Sequence, residues 1–189
     1  MELVFATHNK NKLLEVQSIL SHSFKILSLD DIGCHNEIEE TGASIEENAA
    51  IKANYITEKY GYDCFADDSG LEVKALDGAP GVYSARYAGE QKNSEDNMNL
   101  LLKNLKGLQH RTARFKTVIA LNLKGTKVQF EGIINGCITE EKRGGNGFGY
   151  DPVFLPDGYD KTFAELSLSV KNKISHRALA MQQLIDYLK

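Results

Sequence analysis

Apolar positions in this chain fall into short continuous runs and helical stripes separated by polar loops. Leu3-Val4-Phe5-Ala6 is a continuous apolar run, the pattern of a buried strand. The polar stretch Thr7 to Lys12 leads from it into a segment whose Leu13, Val16 and Leu20 share one helical face. Phe24 to Leu29 reads as a second strand. Ser44-Ile45-Glu46-Glu47 has the spacing of a capping box and opens a helix running to Tyr60, with Asn48 and Lys52 four residues apart on one face. Cys64 to Ala66 is a core run, Asp67 to Gly70 reads as a polar glycine turn, and Leu71 to Leu76 as another strand. A helix is expected from Ser94 to Leu105, with Met98, Leu101, Leu102 and Leu105 inward. Ala113 to Leu123 and Lys127 to Thr139, parted by Lys124-Gly125-Thr126, predict an antiparallel hairpin. Val153 to Leu155 reads as a short strand and Phe163 to Leu166 as a helical turn. Ser175 is placed to cap a last helix carrying Ala178, Met181, Ile185 and Leu188 on one face.

Composition narrows the function classes. At 189 residues, 42% of them hydrophobic, the chain suits one domain, 1–189, with one sizeable core. A formal charge of −4 argues against a nucleic-acid binder, so any phosphate site must be local. Cys34, Cys64 and Cys137 are odd in number and far apart, which speaks against a disulfide framework and a zinc site. The start MELVFAT lacks the features of a signal peptide and no apolar run reaches spanning length, so a soluble, cytoplasmic protein without a membrane partner is expected.

Candidate chemistry centres on Asp67-Asp68-Ser69. Adjacent carboxylates repel and resist burial without a cation, which points to a hard divalent metal such as Mg²⁺. A plain polar turn is the competing reading, since Asp, Ser and Gly are ordinary turn formers. The junction from Thr7 to Lys12 offers backbone N–H groups and the positive helix end to an anion, though without the glycines of a Walker loop. Glu39 and Glu40 precede a helix, where acid also complements the dipole. Glycine density from Arg143 to Pro152 gives a pliant loop on which Phe148 and Tyr150 present flat faces suited to a base. His176 and Arg177 sit in a first helical turn, where cations oppose the dipole, a placement that points to function.

Six motifs occur in order: T-x-N-x-x-K at Thr7 to Lys12, E-T-G with E-N-A-x-x-K-A at Glu40 to Ala53, ADDSGLEV at Ala66 to Val73, PGVYSARYAG at Pro80 to Gly89, GNGFGYDP at Gly145 to Pro152, and K-N-x-I-S-H-R-A at Lys171 to Ala178. Together they closely resemble the inosine triphosphate pyrophosphatase family. The resemblance implies an α/β fold, an elongated mixed sheet with flanking helices and two lobes around a central substrate cleft. It implies a Mg²⁺-dependent homodimer that converts ITP, dITP or XTP to the monophosphate and pyrophosphate. By motif position, Thr7, His8, Asn9, Lys10, Asn11 and Lys12 would bind the triphosphate, with Lys52 alongside. Asp68 would be metal ligand and proton acceptor, with Asp67 and Lys12 beside it in the catalytic group, and Ser69 would contact substrate. Phe148, Gly149, Tyr150, Asp151, Lys171, His176 and Arg177 would form the nucleoside pocket, Arg177 pairing with the 6-keto oxygen. The metal-side glutamate falls at Glu40 or Glu39, with Glu40 favoured. A nucleotide sensor would have little need for both Asp67 and Asp68, and a phosphomonoesterase no need for the aromatic loop.

Overall fold

A computed structural model describes residues 2–20 and 24–189. In chain order its elements are β1 (Glu2–Phe5), α1 (Lys10–Ile19), β2 (Lys25–Leu27), α2 (Ile45–Tyr60), β3 (Cys64–Val73), α3 (Ser94–Asn104), β4 (Thr112–Leu123), β5 (Thr126–Ile138), β6 (Phe154–Pro156), α4 (Leu168–Ile174) and α5 (His176–Leu188). Among the described residues the strands form a six-stranded sheet in the order β2-β1-β3-β4-β5-β6. β1 runs parallel to β2, with Leu3 opposite Ile26, and parallel to β3, with Phe5 opposite Phe65. β5 and β6 are antiparallel, Cys137 facing Leu155. The sheet is therefore mixed and helices flank it, the α/β class that the resemblance implies.

Local chemistry explains several element ends. Asn9 caps α1, its side chain accepting from the amides of Asn11 and Lys12. Ser44 caps α2 by accepting from the Glu47 amide, and the Glu47 carboxylate reaches back to the Ala43 amide at 2.7 Å. Lys124 and Gly125, which join β4 to β5, both have positive φ, 48° and 83°. That is the signature of a type I′ turn, whose twist matches that of the strands it joins.

One expectation fails. Asp67 to Gly70 is no turn, because β3 continues unbroken from Cys64 to Val73 and buries both aspartates. The turn reading assumed that the acids seek water, whereas buried cations satisfy them in place. The last helix begins where it was expected: Ser175 is extended, with φ −68° and ψ 154°, and stands directly before α5, while a short α4 that the sequence pattern did not announce ends at the same residue.

The chain divides into two compact units. The first comprises Met1–Asp68, Thr117–Gly132 and Arg177–Lys189, and the second Ser69–Lys116 and Ile133–His176. The first unit's core gathers Leu3, Phe5, Val16, Phe65, Ile119, Leu121 and Met181, with the Phe5 and Phe65 rings stacked at 4.7 Å. The second unit's core gathers Leu71, Leu101, Phe115, Tyr150, Phe154 and Phe163. Phe115 and Phe154 lie 4.6 Å apart there at a tilt of 59°, a favourable aromatic geometry.

Candidate active site

Successive side chains on a strand point to opposite faces, and this separates the two adjacent aspartates. Asp67 shares its parity with Phe65, which packs in the core with Val16 of α1 and Met181 of α5. It accepts from Lys12 Nζ of α1 at 3.0 Å and from Arg177 Nε of α5 at 3.0 Å. Asp68 lies on the other face, with α2, where Lys52 Nζ is 3.4 Å away. The strand therefore gives the two neighbouring carboxylates different cationic partners. Asp68 finds its partner carboxylate in Glu40, which lies 2.5 Å from the same Lys52 ammonium.

Charge balance gives the aspartates different properties. Around Asp67 the order is carboxylate, guanidinium, carboxylate, ammonium: Glu15, Arg177, Asp67, Lys12. Burial alone would raise the Asp67 pKa, but Lys12, Arg177 and Lys52 outweigh it and hold the carboxyl well below its usual range. Burial lowers the Lys12 pKa, and Asp67 only partly restores it. Around Asp68 one ammonium serves two carboxylates. Burial pushes the Asp68 pKa up, and the nearby Glu40 and Asp67 add to this against the pull of Lys52 and Lys12. Lys52 itself is held above its ordinary value, because Asp68, Glu40 and Asp67 overcome the burial that opposes its charge. Environments that drive two carboxyls apart mark one as a fixed anion and the other as the proton acceptor. Here Asp67 is the fixed anion and Asp68 the candidate base.

The junction before α1 differs from an open anion cradle. Thr7 Oγ1 accepts from the Asn9 amide at 3.1 Å, and Asn9 Oδ1 from the amides of Asn11 and Lys12 at 3.0 and 3.2 Å. Side chains thus occupy donors expected for phosphate. Exposed His8, Lys10 and Asn11 remain at the surface there, and His8 Nε2 is 2.9 Å from the Asn36 carbonyl. Glu39 is exposed, while Glu40 is the member of the pair turned to Lys52.

The second unit holds a separate group. Asp151 and Lys171, both buried, pair at 2.7 Å, and Asp151 Oδ2 also accepts from the Phe148 amide at 2.8 Å. Lys171 Nζ sits 5.0 Å from the half-buried Phe148 ring. Gly147, with φ of 76°, lets the loop close over this carboxylate; a Cβ there would lie 2.0 Å from Asp151 Oδ2. Gly149 and Ser69 are half-buried. His176 is buried with its ring stacked on Phe115 at 4.6 Å.

Sequence and structure comparisons show the family and the fold. The model of the Ham1 family matches residues 3–187. The chain belongs to the Ham1 family. It is 63% identical over 188 residues to the dITP/XTP pyrophosphatase of Flavobacterium johnsoniae, covering 100% of this chain and 98% of the relative. Its fold is similar to the Ham1 protein of Staphylococcus aureus, with a TM-score of 0.91 at 40% identity over 100% of this chain and 98% of that one. The Ham1 protein of Coxiella burnetii gives 0.92 at 39%, with the same coverage of both chains. The inosine triphosphate pyrophosphatase resemblance read from the six motifs thus names the right family.

Within this Ham1 chain two residues of the expected pocket have partners inside the fold. Tyr150, expected to offer a ring face, is 4% exposed and donates its hydroxyl to the Ser84 carbonyl at 2.9 Å. Arg177, expected to read a base, is 2% exposed and spends Nε on Asp67 and Nη1 on Glu15. That ion ladder explains a guanidinium in a first helical turn, since two carboxylates outweigh the opposing dipole. Glu15 was missed by reasoning from sequence. Its signal was present in the spacing, because Lys12 and Glu15 stand three apart on the inward side of α1.

Proposed function

We propose that this chain hydrolyses the purine nucleoside triphosphates ITP, dITP and XTP to the monophosphate and pyrophosphate, clearing them from the nucleotide pool. The observation that carries this reading is the pair of acids Glu40 and Asp68 drawn together on the Lys52 ammonium, at 2.5 and 3.4 Å, in a Ham1 chain.

That pair suits Mg²⁺. The ion commonly takes one or two protein carboxylates and completes its shell with water and phosphate oxygens. Asp68 and Glu40, which meet on the Lys52 ammonium, are the carboxylates that would hold it. Exposed Glu39 is not needed in that set. When bound, Mg²⁺ would neutralise charge on the phosphate oxygens during in-line displacement.

The protein's own groups supply the rest. Asp68 takes the proton of the attacking water at a carboxylate oxygen. Lys12 and Lys52 bind phosphate oxygens, aided by the Thr7 to Asn11 junction and Ser69. Asp67 orients Lys12 and Arg177 and keeps its charge throughout. Phe148 stacks on the base, bordered by Gly149, Asp151, Lys171 and His176. The resemblance supports a homodimer acting on free cytoplasmic nucleotides, with residues 1–189 working as one pyrophosphatase domain. The net charge of −4 fits a partner other than nucleic acid, and no described helix is long and apolar enough to cross a membrane.

The test is incubation with ITP, dITP, XTP, GTP and ATP plus Mg²⁺, resolving monophosphate, diphosphate, pyrophosphate and orthophosphate. Monophosphate and pyrophosphate from ITP and XTP are expected. Orthophosphate as first product, in a preparation free of inorganic pyrophosphatase, overturns the reading. Tight binding without hydrolysis turns it into a nucleotide sensor.

A further inference from the structure

A glycine-rich loop cannot hold an aromatic side chain in place by backbone stiffness, so something outside it must. In the second unit the loop from Arg143 to Pro152 is tied by backbone bonds at its ends, Arg143 to the Pro152 carbonyl at 2.8 Å and Asn146 to the Ala164 carbonyl at 3.1 Å. Between Phe148 and Asp151 the deep anchor is Tyr150. Its ring belongs to the core, and burial, with Tyr87 nearby, raises its pKa, so the phenol stays a donor at working pH.

The acceptor of that phenol is itself held from several sides. Ser84 is buried, and its hydroxyl accepts from the Leu71 amide of β3 at 2.9 Å while donating to the Gly81 carbonyl at 2.6 Å. Asn97 of α3, 3% exposed, donates to the carbonyls of Ala85 at 3.0 Å and Ser84 at 3.4 Å and accepts from the Ala88 amide at 2.7 Å. One asparagine thus fixes the segment that presents the Ser84 carbonyl to Tyr150.

We propose that Tyr150, Ser84 and Asn97 are positioning residues, a buried anchor that sets Phe148 and Asp151 against a purine base without touching it. The idea rests on the reading of Phe148 as the base-stacking residue. It adds that base affinity is set from α3 and the Ser84 segment.

The chain has no tryptophan, so Phe148→Trp places a single fluorescent reporter on the loop. In that background Tyr150→Phe, which removes one hydroxyl, is expected to lower the Trp anisotropy and raise its acrylamide quenching without any nucleotide. With Phe148 native, Tyr150→Phe is expected to raise the KM for ITP about three- to tenfold, the worth of one buried hydrogen bond, with kcat nearly unchanged. Asn97→Ala, which loosens the same segment from the other side, should give the same split, and the double variant less than the product of the two effects. Asn54→Ala, which removes a hydrogen bond to Asn122 in the first unit, is the control for general destabilisation: its Tm falls while KM stays. Unchanged anisotropy in both variants overturns the anchor. Lower anisotropy with an unchanged KM for ITP overturns its role in base binding, as does an equal loss of kcat on every triphosphate. Absence of ITP hydrolysis in the wild type counts against the proposed function, while the fluorescence still decides the anchor.

Discussion

Arg177→Met separates the base-reading role that its motif implies from the ion ladder that the structure shows. Methionine fills much of the arginine stem and removes only the charge and its hydrogen bonds. Asp67 and Glu15, 1% and 7% exposed, would then share less positive charge, with Lys12 still on Asp67. Breaking a buried ion pair from one side costs about 3–5 kcal/mol, because a charge is left buried without its partner. For a chain of this size each kcal/mol lowers Tm by about 2–4 °C, so a fall of about 6–20 °C is expected by calorimetry. Glu15→Gln keeps an acceptor for Arg177 and should lose less. A cycle of Glu15→Leu, Arg177→Met and the double variant should show coupling of more than about 1 kcal/mol, because the two side chains bond directly. On activity, a displaced Asp67 loosens Lys12, which would act on phosphate, so kcat/KM should fall by a similar factor for ITP, XTP and ATP. A Tm within about 2 °C of wild type, together with an ITP-to-ATP ratio compressed toward one, would refute this reasoning and return Arg177 to the base; the 2 °C limit corresponds to less than about 1 kcal/mol.

Asp68→Asn should leave Tm close to wild type, because it removes a carboxylate whose charge burial already disfavours, and should lower kcat on ITP by about 10³-fold or more; near-normal turnover moves the chemistry elsewhere. Chelation with EDTA should abolish ITP hydrolysis and excess Mg²⁺ restore it, whereas full activity in chelator removes the metal from Glu40 and Asp68. Gly147→Ala, forced to φ of 76° with its Cβ 2.0 Å from Asp151 Oδ2, should cost about 1–3 kcal/mol by urea denaturation and raise the KM for ITP; a silent substitution would show that the loop does not close over Asp151.

Local pattern made much of the fold legible. The apolar run of β1, the Ser44 cap of α2, the face of α3 and the β4–β5 hairpin all follow from periodicity, capping and turn chemistry, which act between residues close in sequence. The family was equally legible, because six ordered motifs survive in the chain itself. The pairing of charges was not. From sequence, Asp67 and Asp68 read as a turn with one shared cation, yet a strand's pleat turns neighbours to opposite faces. Which cation each then meets depends on α1, α5 and α2, brought in from up to 110 residues away.

The same physics gave Arg177 and Tyr150 partners within the fold that their motifs do not announce. Each stands beside residues suited to substrate, but its own polar group is satisfied within the folded core, by Glu15 and Asp67 in one case and the Ser84 carbonyl in the other. Sequence by itself determined most of the elements and the family they belong to, since those depend on short-range periodicity and preserved motifs. Only the tertiary structure decided which carboxylate keeps its charge and which is left short of one, because that balance is the sum of burial and of charges distant along the chain.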